Sequence, residues 1–131
     1  MKITLCGSAR FEDKFKEINR RLTLAGHVVY SLAVYPSDMN GKDWYTPEQK
    51  IILDKVHLEK IDNSHAIYVI APGGYVGEST KREITYAIQN RKQVMCAYPL
   101  TEFGVGVIIR TCPFNGCDDP TKIPPCSICY E

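Results

Sequence analysis

The chain has 131 residues, 44% of them hydrophobic, which is enough for one domain with its own core. Sixteen basic residues stand against fifteen acidic ones, for a formal net charge of +1, so there is no clustered basic face of the kind duplex nucleic acid requires. No apolar run approaches the ~18 residues of a membrane span, which excludes a helical membrane protein as the reading.

The most basic stretch, Lys81, Arg82, Arg91 and Lys92, is split by helical spacing and reads as a solvated surface. The N-terminus enters a strand-like segment with no charged-then-apolar signal pattern. Two of the six cysteines, Cys6 and Cys96, fall inside apolar strand-like runs. A chain of this length folds without disulfide staples, so reduced thiols and a cytoplasmic location are expected.

In chain order, residues 2–6 (KITLC) form a short run rich in β-branched side chains, closed by Gly7 and Ser8, and predict a buried strand. Phe11, Phe15, Ile18, Leu22 and Ala25 then recur at helical spacing up to Gly26, a stop signal. Residues 27–32 (HVVYSL) predict a second strand, and residues 33–45, with Pro36, Asn40 and Gly41, a loop. Thr46-Pro47-Glu48-Gln49 is a capping box with proline at the first helical position, so a helix starts there and runs to about Asn63. Residues 66–71 (AIYVIA) are continuously apolar, as in a strand covered on both faces. Pro72-Gly73-Gly74 breaks that run, Thr80 to Glu83 opens a third helix, and residues 93–98 (QVMCAY) predict a fourth strand.

This alternation predicts an α/β fold of Rossmann or flavodoxin type: a parallel sheet with right-handed crossovers and helices on both faces. Ligands of such sheets bind outside the carboxyl ends of the strands. Here those ends are Gly7-Ser8, the 33–45 loop and residues 72–80. Residues 1–100 are read as the α/β domain and residues 101–131 as a C-terminal extension.

The segment Gly73-Gly74-Tyr75-Val76-Gly77-Glu78-Ser79-Thr80 follows a strand and opens a helix. Its glycines let backbone approach a ligand, and free N–H groups at a helix start can hold an anion or a hydroxyl. It is neither GxGxxG nor a P-loop. Glu83, three residues after Thr80, fits the last position of a capping box, which needs no chemistry.

Residues 64–98, SHAIYVIAPGGYVGESTKREITYAIQNRKQVMCAY, resemble the core of the nucleoside 2-deoxyribosyltransferase-like superfamily, and in particular a branch with a GY-[IV]-GEST-KREI-x-YA signature. The N-terminal KITLCGSARF is similar to the strand and turn of the related 2'-deoxynucleoside 5'-phosphate N-hydrolases. The resemblance covers roughly residues 1–100. It implies cleavage or transfer at the N-glycosidic bond of a (deoxy)nucleoside or its 5'-monophosphate, with no cofactor for catalysis. Glu83, with Ile84 and Ala87, matches the nucleophile of the motif E-[IL]-x-x-A. A carboxylate attacking an anomeric carbon through an oxocarbenium-like transition state follows the logic of retaining glycosidases. The resemblance also implies a homo-oligomer whose partner is a small-molecule nucleoside or nucleotide. A non-catalytic nucleotide-binding or signal-sensing domain on the same fold is the alternative.

The chain departs from the family pattern at three places. His57 and His65 stand where the superfamily carries an aspartate and, eight residues on, an acidic residue. Gly77 stands six residues before Glu83, where nucleoside-specific members have aspartate and nucleotide hydrolases have serine. Asp54, His57 and Ile61 share one helix face at i, i+3 and i+7, so a histidine that titrates near neutrality can serve as general acid beside a carboxylate, or can be a buried histidine held by a backbone carbonyl. His27 and His65 read as strand-edge residues. The catalytic candidates are therefore Glu83, His57 and Asp54. Ligand contacts are expected from Gly7, Ser8, Arg10, Gly74, Tyr75, Gly77, Glu78, Ser79 and Thr80, although Ser8 can equally cap the first helix. Tyr35, Trp44, Tyr45 and Tyr75 are candidate pocket walls.

Beyond Leu100 the composition changes. Cys112, Cys117, Cys126 and Cys129 form a CxxxxC…CxxC set with prolines and a glycine between the pairs. Four thiolates at this spacing can close a tetrahedral structural zinc site with no open position, or can be a reduced tail. A redox role for Cys126 and Cys129 lacks the strand-to-helix setting of thioredoxin-like motifs.

Overall fold

The computed structural model describes residues 1–39, 45–72 and 75–96. Four strands, β1 (Lys2–Gly7), β2 (Val28–Tyr30), β3 (Ala66–Ile70) and β4 (Gln93–Cys96), form one parallel sheet in the order β2-β1-β3-β4. Three helices connect them: α1 (Glu12–Leu24), α2 (Pro47–Asp62) and α3 (Glu78–Gln89). This is the expected α/β architecture of flavodoxin type.

Side-chain alternation along the strands divides the core in two. Ile3 and Leu5 of β1, with Ala66, Tyr68 and Ile70 of β3, meet Phe15, Ile18 and Leu22 of α1. Cys6 of β1, with Ile67 and Val69 of β3, faces the opposite way, onto Ile61 of α2 and Ile84 and Ala87 of α3. All are nearly or wholly buried, each large apolar side chain contributing roughly 1.5–3 kcal/mol. Thr4 is a polar intruder in the second layer, satisfied by Ser64 at 2.5 Å, whose hydroxyl also donates to the Lys60 carbonyl at 2.8 Å.

The capping box at Thr46 forms as read, Gln49 N–H donating to Thr46 Oγ1 at 3.1 Å and Thr46 N–H to Gln49 Oε1 at 2.9 Å. Ile51, Ile52 and Val56 of α2 are exposed apolar side chains. Tyr86 of α3 donates to the Asp62 carboxylate at 2.7 Å and Lys92 to the Asp62 carbonyl at 2.9 Å, tying α3 to the end of α2.

Three boundaries differ from the sequence reading. β2 is shorter than residues 27–32, and the described part of the 33–45 loop holds a 3-10 turn at Pro36–Met39. Ala9–Phe11 form another 3-10 turn before α1, N-capped by Ser8, whose hydroxyl accepts from Arg10 N–H at 3.4 Å. The largest difference is in α3. It starts at Glu78 rather than Thr80, with Gly77 as an extended N-cap (φ −79°, ψ 173°) whose carbonyl accepts from Lys81 N–H at 2.9 Å. Glu83 is therefore in the second turn and caps nothing.

Residues 40–44 with Trp44, then Gly73, Gly74, Tyr98 and the extension from residue 101, lie outside the described residues. So do the proposed zinc ligands Cys112, Cys117, Cys126 and Cys129. Among the described residues no helix is long and apolar enough to cross a membrane.

α1 covers one face while α2 and α3 cover the other, so the chain reverses its direction of winding between β1 and β3. A crevice opens there, outside the strands' carboxyl ends, as such topology dictates. Gly7 sets its floor. A Cβ at Gly7 would lie 2.6 Å from the Ile70 carbonyl oxygen and 3.2 Å from Ile70 Cβ. Gly7→Ala is expected to cost about 1–3 kcal/mol by overpacking this backbone contact, read as a lowered denaturant midpoint at unchanged slope.

Candidate active site

The crevice is a cavity of about 500 Å³. Four segments of chain wall it: Gly7 to Arg10 after β1, Leu32 to Val34 and Pro36 with Tyr45 beyond β2, one face of α2, and Tyr75 and Gly77 to Thr80 with Glu83. Gly7, Ser8, Arg10, Asp54, His57, Tyr75, Gly77, Glu78, Ser79, Thr80 and Glu83, each singled out in the sequence, all border this one cavity. Gly74 lies outside the described residues. A second groove of about 400 Å³ between α2 and α3 also reaches Asp54, Ser79 and Glu83, so the Glu83 carboxyl is bordered by both openings.

At the rim, the Arg10 guanidinium stacks 4.0 Å from the centre of the Tyr75 ring, and Phe11 meets that ring edge-on at 6.1 Å. Gly77 has no side chain to cap α3, so the first N–H groups of the helix keep their capacity for a ligand on this wall. Tyr35 is not a pocket wall. It packs edge-on against Phe15 and hydrogen-bonds Ser31 at 2.9 Å.

The floor combines three elements. His57 Nε2 of α2 lies 3.6 Å from Glu83 Oε2 of α3 and 3.6 Å from Cys6 Sγ of β1. Neither His57 nor Cys6 reaches water appreciably, at 6% and 0% exposure, and the Glu83 side chain is 17% exposed. Asp54, one turn before His57, is engaged by Lys50 at 2.8 and 2.9 Å.

Burial shapes the protonation of all three. Desolvation first, and the Asp54 charge second, push Glu83 up to about 7, against the weaker pull of Lys50 and Arg82. Desolvation, with the Lys60 charge, pushes His57 down to about 4, against the opposing pull of Asp54. The Cys6 thiol is pushed well up, by burial and then by Glu83, and stays protonated. A histidine held at about 4 is neutral near pH 7, which removes the imidazolium that a general acid of ordinary pKa would supply.

Sequence reasoning missed Cys6, read only as a core thiol, and the two lysines that α2 contributes. Lys50 and Lys60 stand at i−4 from Asp54 and i+3 from His57, and that spacing was the available signal. Lys60 also donates to the Ser31 carbonyl at 2.8 Å, joining α2 to the segment after β2. His27 and His65 are remote from the cavity floor. His27 Nδ1 contacts the N-terminal amine at 3.1 Å, and His65 Nδ1 accepts from Lys2 N–H at 2.8 Å.

No protein-family model matches this sequence, and no curated protein does. Among solved structures, a 2-deoxyribosyltransferase from Bacillus psychrosaccharolyticus superposes with a TM-score of 0.60 at 20% identity, covering 73% of this chain and 71% of that one. The CMP N-glycosidase BcmB of Clostridium botulinum superposes with a TM-score of 0.50 at 17% identity, covering 73% and 70%. The fold is the one these two enzymes share. Similarity at this level speaks for the architecture, while the side chains at the crevice must be read from their own geometry.

The opposed shifts of Glu83 and His57 make a prediction for stability. Burial keeps native His57 neutral, a contribution lost as pH falls from 6.5 toward about 4. Native Glu83 favours its protonated form, so its contribution falls as pH rises from 4.5 to about 7. Between about 4.5 and 6.5 the native state carries one proton more on Glu83 and one fewer on His57, and the two slopes cancel. Glu83→Gln leaves His57 alone. Its stability to urea is expected to rise with pH across this window by up to ~1.4 kcal/mol per unit relative to wild type. Identical pH profiles for the two proteins would contradict this account.

Proposed function

We propose that this protein cleaves or transfers at the N-glycosidic bond of a (deoxy)nucleoside or its 5'-monophosphate, with Glu83 as nucleophile. The observation that carries the reading is the position of Glu83: a carboxyl freed from any capping duty, largely buried, at the floor of a crevice whose walls suit a nucleoside-sized ligand. The resemblance of its surrounding motif, and the deoxyribosyltransferase and CMP N-glycosidase activities of the two proteins with this fold, support the same chemistry.

In this mechanism the ionised Glu83 attacks the anomeric carbon as the C1'–N bond breaks. The base departs with the bonding electrons, and a glycosyl-enzyme remains for water or a second base to resolve. His57, neutral and 3.6 Å from the carboxyl, packs beside it rather than protonating the base. Arg10, with the uncapped amides of Glu78 and Ser79 on another wall of the same cavity, gives a 5'-phosphate a positive surround. Gly77 brings no carboxylate, and that of the neighbouring Glu78 pairs with Lys81 at 3.6 Å. These features favour the 5'-monophosphate over the free nucleoside.

The test is release of free base from deoxynucleosides and from their 5'-monophosphates. Wild type is expected to release base, Glu83→Ala to lose at least a hundredfold, and kcat/KM to rise with pH through about 7 as Glu83 ionises. Asp54→Asn, by removing a charge that holds the Glu83 proton, should move that limb to lower pH. Nucleotide binding without base release from any substrate would sink the enzyme and leave a binding domain. Adding a second free base separates transfer from hydrolysis.

The homo-oligomer implied by the resemblance is assigned to the exposed Ile51, Ile52 and Val56 of α2, since Val56 also borders the cavity and a second copy there would complete its mouth. Sedimentation should show an oligomer for wild type and a monomer for Ile52→Glu. A monomeric wild type would refute the assignment.

A further inference from the structure

We propose that Cys6, His57 and Glu83 together form a binding site for a divalent cation of the zinc class, and that this ion competes with substrate for Glu83. Among the described residues these three place a thiol sulfur, an imidazole nitrogen and a carboxylate oxygen all within 4.8 Å of one another.

The Cys6 Sγ to His57 Nε2 distance of 3.6 Å suits a hydrogen bond to sulfur and a shared metal alike, and the His57 to Glu83 distance suits the metal better. His57 Nε2 to Glu83 Oε2, at 3.6 Å, is too long for a hydrogen bond. In a tetrahedral zinc site, with Zn–S of about 2.3 Å and Zn–N and Zn–O of about 2.0–2.2 Å, adjacent donors stand about 3.3–3.6 Å apart. Two edges of such a tetrahedron, Sγ to Nε2 and Nε2 to Oε2, are already in place at 3.6 Å. The third closes by rotation of the Glu83 side chain about its soft terminal torsion.

The donor set selects the ion. Sulfur, nitrogen and one carboxylate oxygen suit zinc or cobalt and offer magnesium or calcium too few oxygens. Each donor sits on a different packed element, β1, α2 and α3, so little ordering is needed on binding. Cys6 gives its proton to solvent, and Glu83 gives up any it holds. No electrons move. Thiolate and carboxylate then neutralise the dication, which limits the cost of burying it. His57 and Glu83 border the cavity, so water or a ligand can approach an ion held by the three donors, as in zinc sites with three protein ligands. An ion here engages the lone pairs that the preceding reading assigns to attack on the sugar. The site itself rests on geometry alone, and only the competition depends on that reading.

The experiment uses the 131-residue chain with Cys112, Cys117, Cys126 and Cys129 each changed to Ser, so that they do not compete, and cobalt(II) as probe under reducing, chelator-free conditions. One equivalent is expected to give a near-ultraviolet thiolate-to-cobalt band together with visible bands of tetrahedral cobalt, both displaced by zinc. Cys6→Ala should remove the near-ultraviolet band, and Cys96→Ala should retain it. His57→Ala and Glu83→Gln should each weaken binding at least tenfold, so the site is tested even if Cys6→Ala does not fold. Absence of the band, or its persistence in a folded Cys6→Ala protein, overturns the site. Base release that zinc does not slow in a protein showing the band overturns the competition. A band in a protein that releases no base from any substrate upholds the site while defeating the glycosidase reading.

Discussion

β1 and β3 run side by side for five residue pairs, from Ile3 opposite Ala66 to Gly7 opposite Ile70, and the remaining elements are arranged around that pairing. β2 adds to one side of it and β4 to the other, so the winding of the chain reverses between the two central strands. Two loops must then diverge above their carboxyl ends, and the crevice is the space they leave. Gly7 approaches the Ile70 carbonyl closely and keeps the strand ends together, and Cys6 just before it reaches His57 of α2. A strand register shifted by one residue would turn Cys6 toward α1 and Leu5 toward α2, erasing both core and floor.

Desolvation is the second constraint, and it acts on the side chains that the sheet has brought together. A carboxyl, an imidazole and a thiol in one poorly hydrated corner cannot all carry charge cheaply. Glu83 is raised, His57 lowered and Cys6 held protonated, so the corner rests close to neutral overall. Asp54 and Lys50, nearer to water, modulate Glu83 through their fields. A nucleophile made reluctant to ionise is also one poorly solvated when it does ionise, and therefore more reactive toward a developing cation than a hydrated carboxylate.

The start of α3 links the fold to this chemistry. Had the helix begun at Thr80, Glu83 would have occupied the capping position and pointed back at the helix end. Instead Gly77 is the N-cap and the helix starts at Glu78, two residues earlier. That shift carries Thr80 into a buried position and directs Glu83 inward from the second turn, against His57.

Much of this was legible in the sequence because it is local. Alternation and apolar runs specified the strands, Thr46 to Gln49 specified the start of α2, and the broken run at Pro72 marked the turn beside the crevice. The residues gathered there were likewise visible as types at strand ends, and the resemblance of the GEST-KREI segment pointed at Glu83. What local pattern could not give was anything set by residues distant in the chain. The three-residue spacing of Thr80 and Glu83 fits a cap as well as it fits a second-turn residue, and only the packed structure separates the two. Cys6 reads as core because nothing near it in sequence announces His57, fifty-one positions away, as its neighbour. The neutral state of His57 likewise follows from burial, which no spacing encodes. The sequence by itself determined the elements, their order and the chemistry available. The tertiary structure decided which of those groups meet and in what charge state, because contact and desolvation are properties of the packed chain and not of its order.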